Sequence, residues 1–147
     1  MISKISHSLE ETKKIAAEWV ATPDFIGTNK GATIIGLSGN LGSGKTTFTQ
    51  CVAQELGITE FVTSPTFVIM KIYPTKHAIF KKLIHIDAYR FEKSEELEVL
   101  ELDKLATDPQ NLILIEWPEK VAQALPKGMK IIRFEVVRES ERRIDFI

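Results

Sequence analysis

The fold is decided by one continuous stretch, which reads Ala32-Thr33-Ile34-Ile35-Gly36-Leu37-Ser38-Gly39-Asn40-Leu41-Gly42-Ser43-Gly44-Lys45-Thr46. Its first six residues are mostly apolar, as is typical of a strand that is buried on both faces in a parallel sheet. A helix predicted over Lys45–Leu56 follows directly, and Gly57 closes it. A buried strand, a glycine-rich turn and a helix in this order favour an α/β domain.

The glycine-rich segment Gly39–Thr46 fits the pattern G-x-x-x-x-G-K-[ST] of a phosphate-binding loop. Glycines let successive backbone N–H groups turn toward an anion, and the helix directs the positive end of its dipole to the same place. Lys45 would place a charge at the β- and γ-phosphates, and Thr46 a hydroxyl at Mg²⁺. The alternative is a plain turn with a solvated lysine, but no packing need calls for Lys-Thr here. The predicted nucleotide-binding residues of the loop are Asn40, Leu41, Gly42, Ser43, Gly44, Lys45, Thr46 and Thr47.

The remaining elements alternate around a second buried apolar strand, Leu112–Ile115. Ser8 is predicted to cap a first helix, with Glu11 reaching back, and that helix ends before Pro23. A third helix is predicted to open at Ser94, with Glu95 and Glu96 in its first turn. Two antiparallel pairs are predicted from strand-like runs: Thr66–Tyr73 with Phe80–Ile86, and Lys130–Val137 with Arg143–Ile147. The pattern favours an α/β domain with parallel strands at its centre.

The composition bounds the class of protein. The chain has 147 residues, and its 19 basic and 20 acidic residues leave a formal net charge of −1. These values fit a single domain over residues 1–147 and disfavour a broad basic face that grips nucleic acid. The one cysteine, Cys51, excludes disulfide frameworks and cysteine-rich zinc sites. No apolar run nears the ~20 residues of a membrane span, and no secretory signal is evident, so we expect a cytoplasmic location.

Two carboxylates follow apolar runs, where a magnesium ligand and a water-orienting group are expected. In open α/β sheets the site lies at the carboxyl ends of the parallel strands. Glu116 follows Leu112–Ile115, and Asp87 follows the run Leu83–Ile86. The alternative for each is a helix cap or a surface acid. We therefore hold Glu116 and Asp87 as candidates for metal binding and for the hydrolytic step.

Three further features leave alternatives open. Trp117 is predicted either to stack on a base or a partner, or to be buried in the core. Thr63–Thr66 either senses a γ-phosphate or forms a simple turn. His85 is more simply a packed or hydrogen-bonded strand histidine than a ligand, and His7 and His77 are expected at the surface.

The class of nucleotide protein follows partly by elimination. The Asp-x-x-Gly and Asn-Lys-x-Asp motifs of a GTPase do not occur after the loop, so ATP is favoured. The acidic segment Phe91–Thr107 is unsuited to a phosphate-clamping lid of a kinase. A minimal ATPase that works with other proteins is the leading interpretation. A small-molecule kinase and a nucleotide-sensing module without useful hydrolysis are the alternatives.

Motifs along nearly the whole chain resemble the TsaE (YjeE) family, the small ATPase of bacterial tRNA threonylcarbamoyladenosine synthesis. The most specific are Ser64-Pro65-Thr66-Phe67, His85-Ile86-Asp87-Ala88-Tyr89-Arg90 and Ile115-Glu116-Trp117-Pro118. The resemblance implies a P-loop NTPase-like three-layer sandwich of α/β class, with central parallel strands flanked by antiparallel ones. Asn40 and Gln50 depart from the family pattern, which usually has Asp and a basic residue there.

The resemblance also implies roles and partners. Lys45 would bind phosphates, Thr46 and Glu116 would hold Mg²⁺, Asp87 would serve hydrolysis of ATP, and Trp117 would support activity near the site. The partners would be the TsaB and TsaD proteins, which with this subunit modify the adenosine next to the anticodon of tRNAs reading ANN codons. The role in the tRNA pathway would be indirect, with no membrane association. No arginine is clearly placed as an internal finger, so turnover of the isolated chain is expected to be slow.

Overall fold

The computed structural model describes residues 1–22, 25, 30–60, 62, 63 and 69–147. These residues form seven strands: β1 (Ile2–Ser6), β2 (Thr33–Ser38), β3 (Met70–Pro74), β4 (Lys82–Asp87), β5 (Asn111–Glu116), β6 (Lys130–Arg138) and β7 (Glu141–Phe146). The α-helices of this described part are α1 (Leu9–Val20), α2 (Lys45–Glu55) and the short α3 (Leu102–Leu105). Two 3₁₀ helices cover Ser94–Leu100 and Pro118–Ala124.

All seven strands belong to one sheet in the order β1-β7-β6-β2-β5-β4-β3. The four central strands β6, β2, β5 and β4 run parallel, whereas β7, β1 and β3 add antiparallel pairs at the flanks. The glycine-rich loop leaves β2, which lies between β6 and β5. The predicted arrangement of central parallel and flanking antiparallel strands is confirmed.

Two core clusters cover the faces of the sheet and make the three layers. On β5, Leu112 and Leu114 face the first cluster, which contains Phe48 of α2. The alternate residues Ile113 and Ile115 face the second cluster, on the side of the 3₁₀ helices. All four β5 side chains are fully buried, and burial of each contributes roughly 1.5–3 kcal/mol. This two-sided burial explains why the sequence of β5 is a continuous apolar run.

The predicted helix boundaries hold for α1 and α2. Ser8 caps α1 by accepting a hydrogen bond from the Glu11 N–H at 3.1 Å. The Glu11 carboxylate reaches back one residue further than a capping box requires, and accepts from the His7 N–H at 2.7 Å. Gly57 follows α2 with a φ of 76° and ends it as predicted.

Two local predictions need correction, and one strand was missed. The segment that begins at Ser94 is a 3₁₀ helix whose cap position is Lys93, and the Glu96 carboxylate accepts from the Lys93 N–H at 3.2 Å. His77 is half-buried, and its Nδ1 accepts from the Ile79 N–H at 3.1 Å. The strand β1 was not predicted. In the hairpin of β3 and β4, residues 66–68 of the predicted first strand lie outside the described residues.

Within the described ranges, none of the helices is long and apolar enough to cross a bilayer.

Candidate functional site

A cavity of about 610 Å³ opens at the carboxyl ends of β2, β4 and β5, within the range of small-molecule pockets. The glycine-rich loop forms its floor, and Asp87 and Glu116 lie on one wall. Residues from the start of α1 and from the β6–β7 hairpin form another part of the lining. Most of the predicted site residues therefore meet in one place: Leu41, Gly42, Ser43, Gly44, Lys45, Thr46, Thr47, Asp87, Glu116 and Trp117.

The loop backbone requires glycine at Gly39, where φ is 154°. A Cβ on this residue would lie 2.6 Å from the Phe134 carbonyl oxygen and 2.6 Å from Ser43 Oγ, closer than any side chain tolerates. Gly44 stands at the N-cap of α2, where no side chain caps the helix and no acidic residue occupies the first turn. The positive end of α2 is thus open to an anion in the cavity.

The Lys45 ammonium lies against the loop backbone at the base of the cavity. It donates to the carbonyl oxygens of Gly39 at 2.6 Å and Asn40 at 2.9 Å, and it lies 4.5 Å from the centre of the Trp117 ring. Only 4% of the residue is exposed. Burial lowers the pKa of Lys45, because it disfavours the charged form, whereas the nearby Glu116 and Asp87 oppose that shift.

Asp87 and Glu116 end two adjacent parallel strands and stand opposite each other in register. The Thr46 hydroxyl lies 3.3 Å from both carboxylate oxygens of Glu116. One oxygen of Asp87, Oδ1, accepts from the Tyr89 N–H at 2.9 Å. Hydroxyl and carboxylate oxygens are the hard ligands that Mg²⁺ prefers, so the residues present fit such an ion.

His85 lies two residues before Asp87 and is fully buried. Its Nε2 is 2.6 Å from Glu116 Oε2, which confirms the prediction of a hydrogen-bonded strand histidine. Its contact with Glu116 was not foreseen, because the two residues are 31 positions apart.

Trp117 is half-buried at the edge of the cavity and adopts a left-handed conformation with φ 60° and ψ 50°. Its backbone N–H donates to the Leu37 carbonyl at 3.1 Å, and its ring centre lies 5.0 Å from that of Tyr89. A bulky residue with positive φ is an unusual conformation that occurs often at functional sites. The turn after β5 therefore directs an aromatic ring toward Lys45.

Some sequence-predicted residues lie elsewhere. Asn40 is exposed and stands outside the cavity lining, although its carbonyl accepts from Lys45. Of the segment Thr63–Thr66, only Thr63 lies within the described residues, where its hydroxyl accepts from Lys71 Nζ at 3.2 Å. Gln50 donates to the Val62 carbonyl at 2.7 Å.

Sequence reasoning missed the wall formed by the two ends of the chain. Leu9 and Thr12 enter from α1, and Arg142 and Ile144 enter from β7. The Arg142 guanidinium donates to the carbonyls of Arg138 and Glu139, both at 3.0 Å, which fixes it to the hairpin. Only the cap at Ser8 marked this region in the sequence.

The parallel strand order, the glycine-rich loop and the lysine at the start of α2 together define the P-loop class of nucleotide-binding folds. A sequence model of the family described as "Threonylcarbamoyl adenosine biosynthesis protein TsaE" matches residues 6–144. The chain belongs to this family.

Named relatives agree with this assignment. The chain is 39% identical over 137 residues to the tRNA threonylcarbamoyladenosine biosynthesis protein TsaE of Bacillus subtilis, covering 93% of this chain and 79% of that protein. The protein of the same name from Haemophilus influenzae is 34% identical over 117 residues, covering 79% and 70%. The crystal structure of Bacillus subtilis YdiB superposes with a TM-score of 0.75 at 32% identity, covering 99% of this chain and 83% of that one.

Proposed function

We propose that this chain is a magnesium-dependent ATPase that acts in threonylcarbamoyl modification of tRNA, in a single domain over residues 1–147. The observation that carries the proposal is the in-register pair Asp87 and Glu116, which faces Lys45 and Thr46 of the loop across one cavity. Membership in the TsaE family, whose name refers to this modification, supports the pathway.

The loop and α2 would bind the phosphates. The first-turn N–H groups of α2 would supply donors, and the Lys45 ammonium, now beside the Gly39 carbonyl, would supply a positive charge. Leu9, Thr12 and Ile144 also line the cavity, whose volume of about 610 Å³ leaves room for the rest of a nucleotide. The residues Asn40 to Gly44 and Thr47 would thus act chiefly through their backbone, whereas Lys45 and Thr46 would also act through their side chains.

Thr46 and Glu116 are the proposed magnesium ligands, because their oxygens are already neighbours. When bound, Mg²⁺ would neutralise charge on the phosphates as the γ-phosphoryl group leaves. Asp87 is the remaining carboxylate of the pair, and it would accept a hydrogen bond from the attacking water. The Tyr89 backbone N–H donates to Asp87 Oδ1 and helps to hold this carboxylate in place.

Partners would complete the site. We propose that TsaB and TsaD homologues bind this chain and raise its rate, that Trp117 supports activity at the cavity edge, and that the chain does not itself transfer the threonylcarbamoyl group. An added arginine at a phosphoryl-transfer site raises rates by about 10³–10⁵. The cytoplasmic location stays a prediction.

A phosphate-release assay tests the proposal. The isolated chain should hydrolyse ATP more slowly than about 1 s⁻¹, the low end of ordinary enzymes, and faster when TsaB and TsaD homologues are added. Lys45→Ala should abolish nucleotide binding, whereas Lys104→Ala, which removes an exposed lysine on α3, should leave it unchanged. Retained affinity in Lys45→Ala would overturn the loop assignment.

The same assay separates the two alternatives. A kinase would turn over only when a phosphate acceptor is supplied. A nucleotide-sensing module would bind ATP and ADP without turnover, even with both partners present.

A further inference from the structure

His85 lies on β4, next to the edge strand β3, and contacts the proposed magnesium ligand Glu116. It lies in the middle of β4, where it is paired in register with Leu114 of β5 and with Lys71 of β3. Because side chains alternate along a strand, His85 is on the same face as Asp87, the face toward α2. Its Nε2 is 2.6 Å from Glu116 Oε2, the shortest contact that either oxygen of Glu116 makes among the described residues.

The hydrogen bond to Glu116 determines which ring nitrogen of His85 carries the proton. A carboxylate only accepts hydrogen bonds, so Nε2 must carry the N–H that donates to Glu116. The other ring nitrogen, Nδ1, is buried and has no hydrogen-bond partner in the described part of the chain. The ring therefore has one polar contact there, and that contact is to Glu116.

This arrangement is unfavourable for a residue whose only task is packing. A buried polar atom without a partner destabilises a fold, and an apolar side chain in the same space would avoid that loss. A histidine at this position is explained by its N–H, which holds the Glu116 carboxylate through a hydrogen bond. The Thr46 hydroxyl cannot do the same, because it lies at a longer 3.3 Å from both oxygens and favours neither.

We propose that His85 is a positioning residue for the metal ligand Glu116. It holds Oε2 in a hydrogen bond, so that Oε1 is the oxygen that meets the cation. The inference rests on the proposed function, since it assigns the orientation of a ligand at that same site. Groups that hold metal ligands in place commonly change metal affinity about 10–100-fold when they are removed.

The test measures how strongly metal and nucleotide binding are coupled, without any turnover. The affinity for a non-hydrolysable ATP analogue is measured by calorimetry, once with a chelator and once with Mn²⁺. The readout is the dissociation constant with chelator divided by the dissociation constant with Mn²⁺, which is large when metal and nucleotide binding are strongly coupled. His85→Leu removes the donor, whereas His85→Gln keeps an N–H close to the place of Nε2. We expect the ratio to fall about 10-fold or more in His85→Leu and to be largely kept in His85→Gln, with metal-free affinity unchanged in both.

A double variant shows whether His85 acts through Glu116. If it does, His85→Leu should have no further effect on the ratio once Glu116→Gln is present. His77→Leu is the matched control, since His77 is half-buried and bonds backbone N–H groups outside the cavity lining. It should leave the ratio unchanged.

The outcomes separate the inference from the proposed function. A wild-type chain without metal coupling would overturn the magnesium site itself. A normal wild-type ratio that persists in His85→Leu would overturn only the role of His85. Should His85→Leu fail to fold, His85→Asn takes its place, because its amide is too short to reach Glu116. Equal ratios in His85→Asn and His85→Gln would then refute the proposal.

Discussion

Substitution of Gly39 by alanine tests whether the loop conformation is the basis of nucleotide binding. The new Cβ would approach the Phe134 carbonyl oxygen and Ser43 Oγ to 2.6 Å, so either β6 or the loop has to shift. A residue forced into such backbone geometry costs about 1–3 kcal/mol, and the overpacking adds about 1–3 kcal/mol. Alanine also lowers the conformational entropy of the unfolded chain, which offsets this destabilisation by about 0.4–1 kcal/mol. We expect a net destabilisation of about 1–6 kcal/mol.

The matched control is Gly128→Ala, at a site with a φ of 75° but open space around the added Cβ. It has the backbone strain without the collision, and it lies outside the cavity lining. Urea unfolding gives the stability of both variants, and calorimetry gives their affinity for ATP. Gly39→Ala should lose affinity as well, because the Gly39 carbonyl accepts from the Lys45 ammonium. If Gly39→Ala is no less stable than Gly128→Ala and binds ATP normally, the steric reasoning is wrong.

Three further predictions concern the same site and its support. Glu116→Gln should weaken the magnesium dependence of hydrolysis more than Asp87→Asn does, measured as activity against Mg²⁺ concentration; the reverse ranking would exchange their roles. Phe48→Ala should destabilise the chain by about 3–5 kcal/mol in urea unfolding, because its buried ring packs on Trp19, Phe134 and Phe146, and a loss below about 1 kcal/mol would contradict that packing. ATP affinity should decline on alkaline titration at a pH below that at which an ordinary lysine loses its proton, because burial lowers the pKa of Lys45; an affinity that stays constant up to the pH range of an ordinary lysine would contradict this.

The parts of the fold that are local in sequence could be predicted. The apolar runs of β2 and β5 are buried on both faces, which is the reason they read as continuous hydrophobic segments. Asp87 and Glu116 could be placed at one edge because both follow parallel strands.

Non-local contacts escaped prediction for physical reasons. In β1, Ser6 is the only buried residue, so the strand has no apolar face to give a signal. The bond between His85 and Glu116 depends on the β4–β5 register, which no local pattern encodes. Arg142 reaches the cavity only because the last hairpin folds back beside β1.

The pairing of β1 with β7 affects the timing of folding. Ile2 lies opposite Phe146, so β1 leaves the ribosome well before β7, the strand with which it pairs. Contacts between distant segments form late, because a long loop must be closed first. One wall of the cavity belongs to this pair, so a nascent chain that already contains the complete phosphate loop still lacks part of its pocket. The strand β7 thus completes the site, and a nucleotide bound there would stabilise a chain that contains β7 far better than a shorter nascent chain.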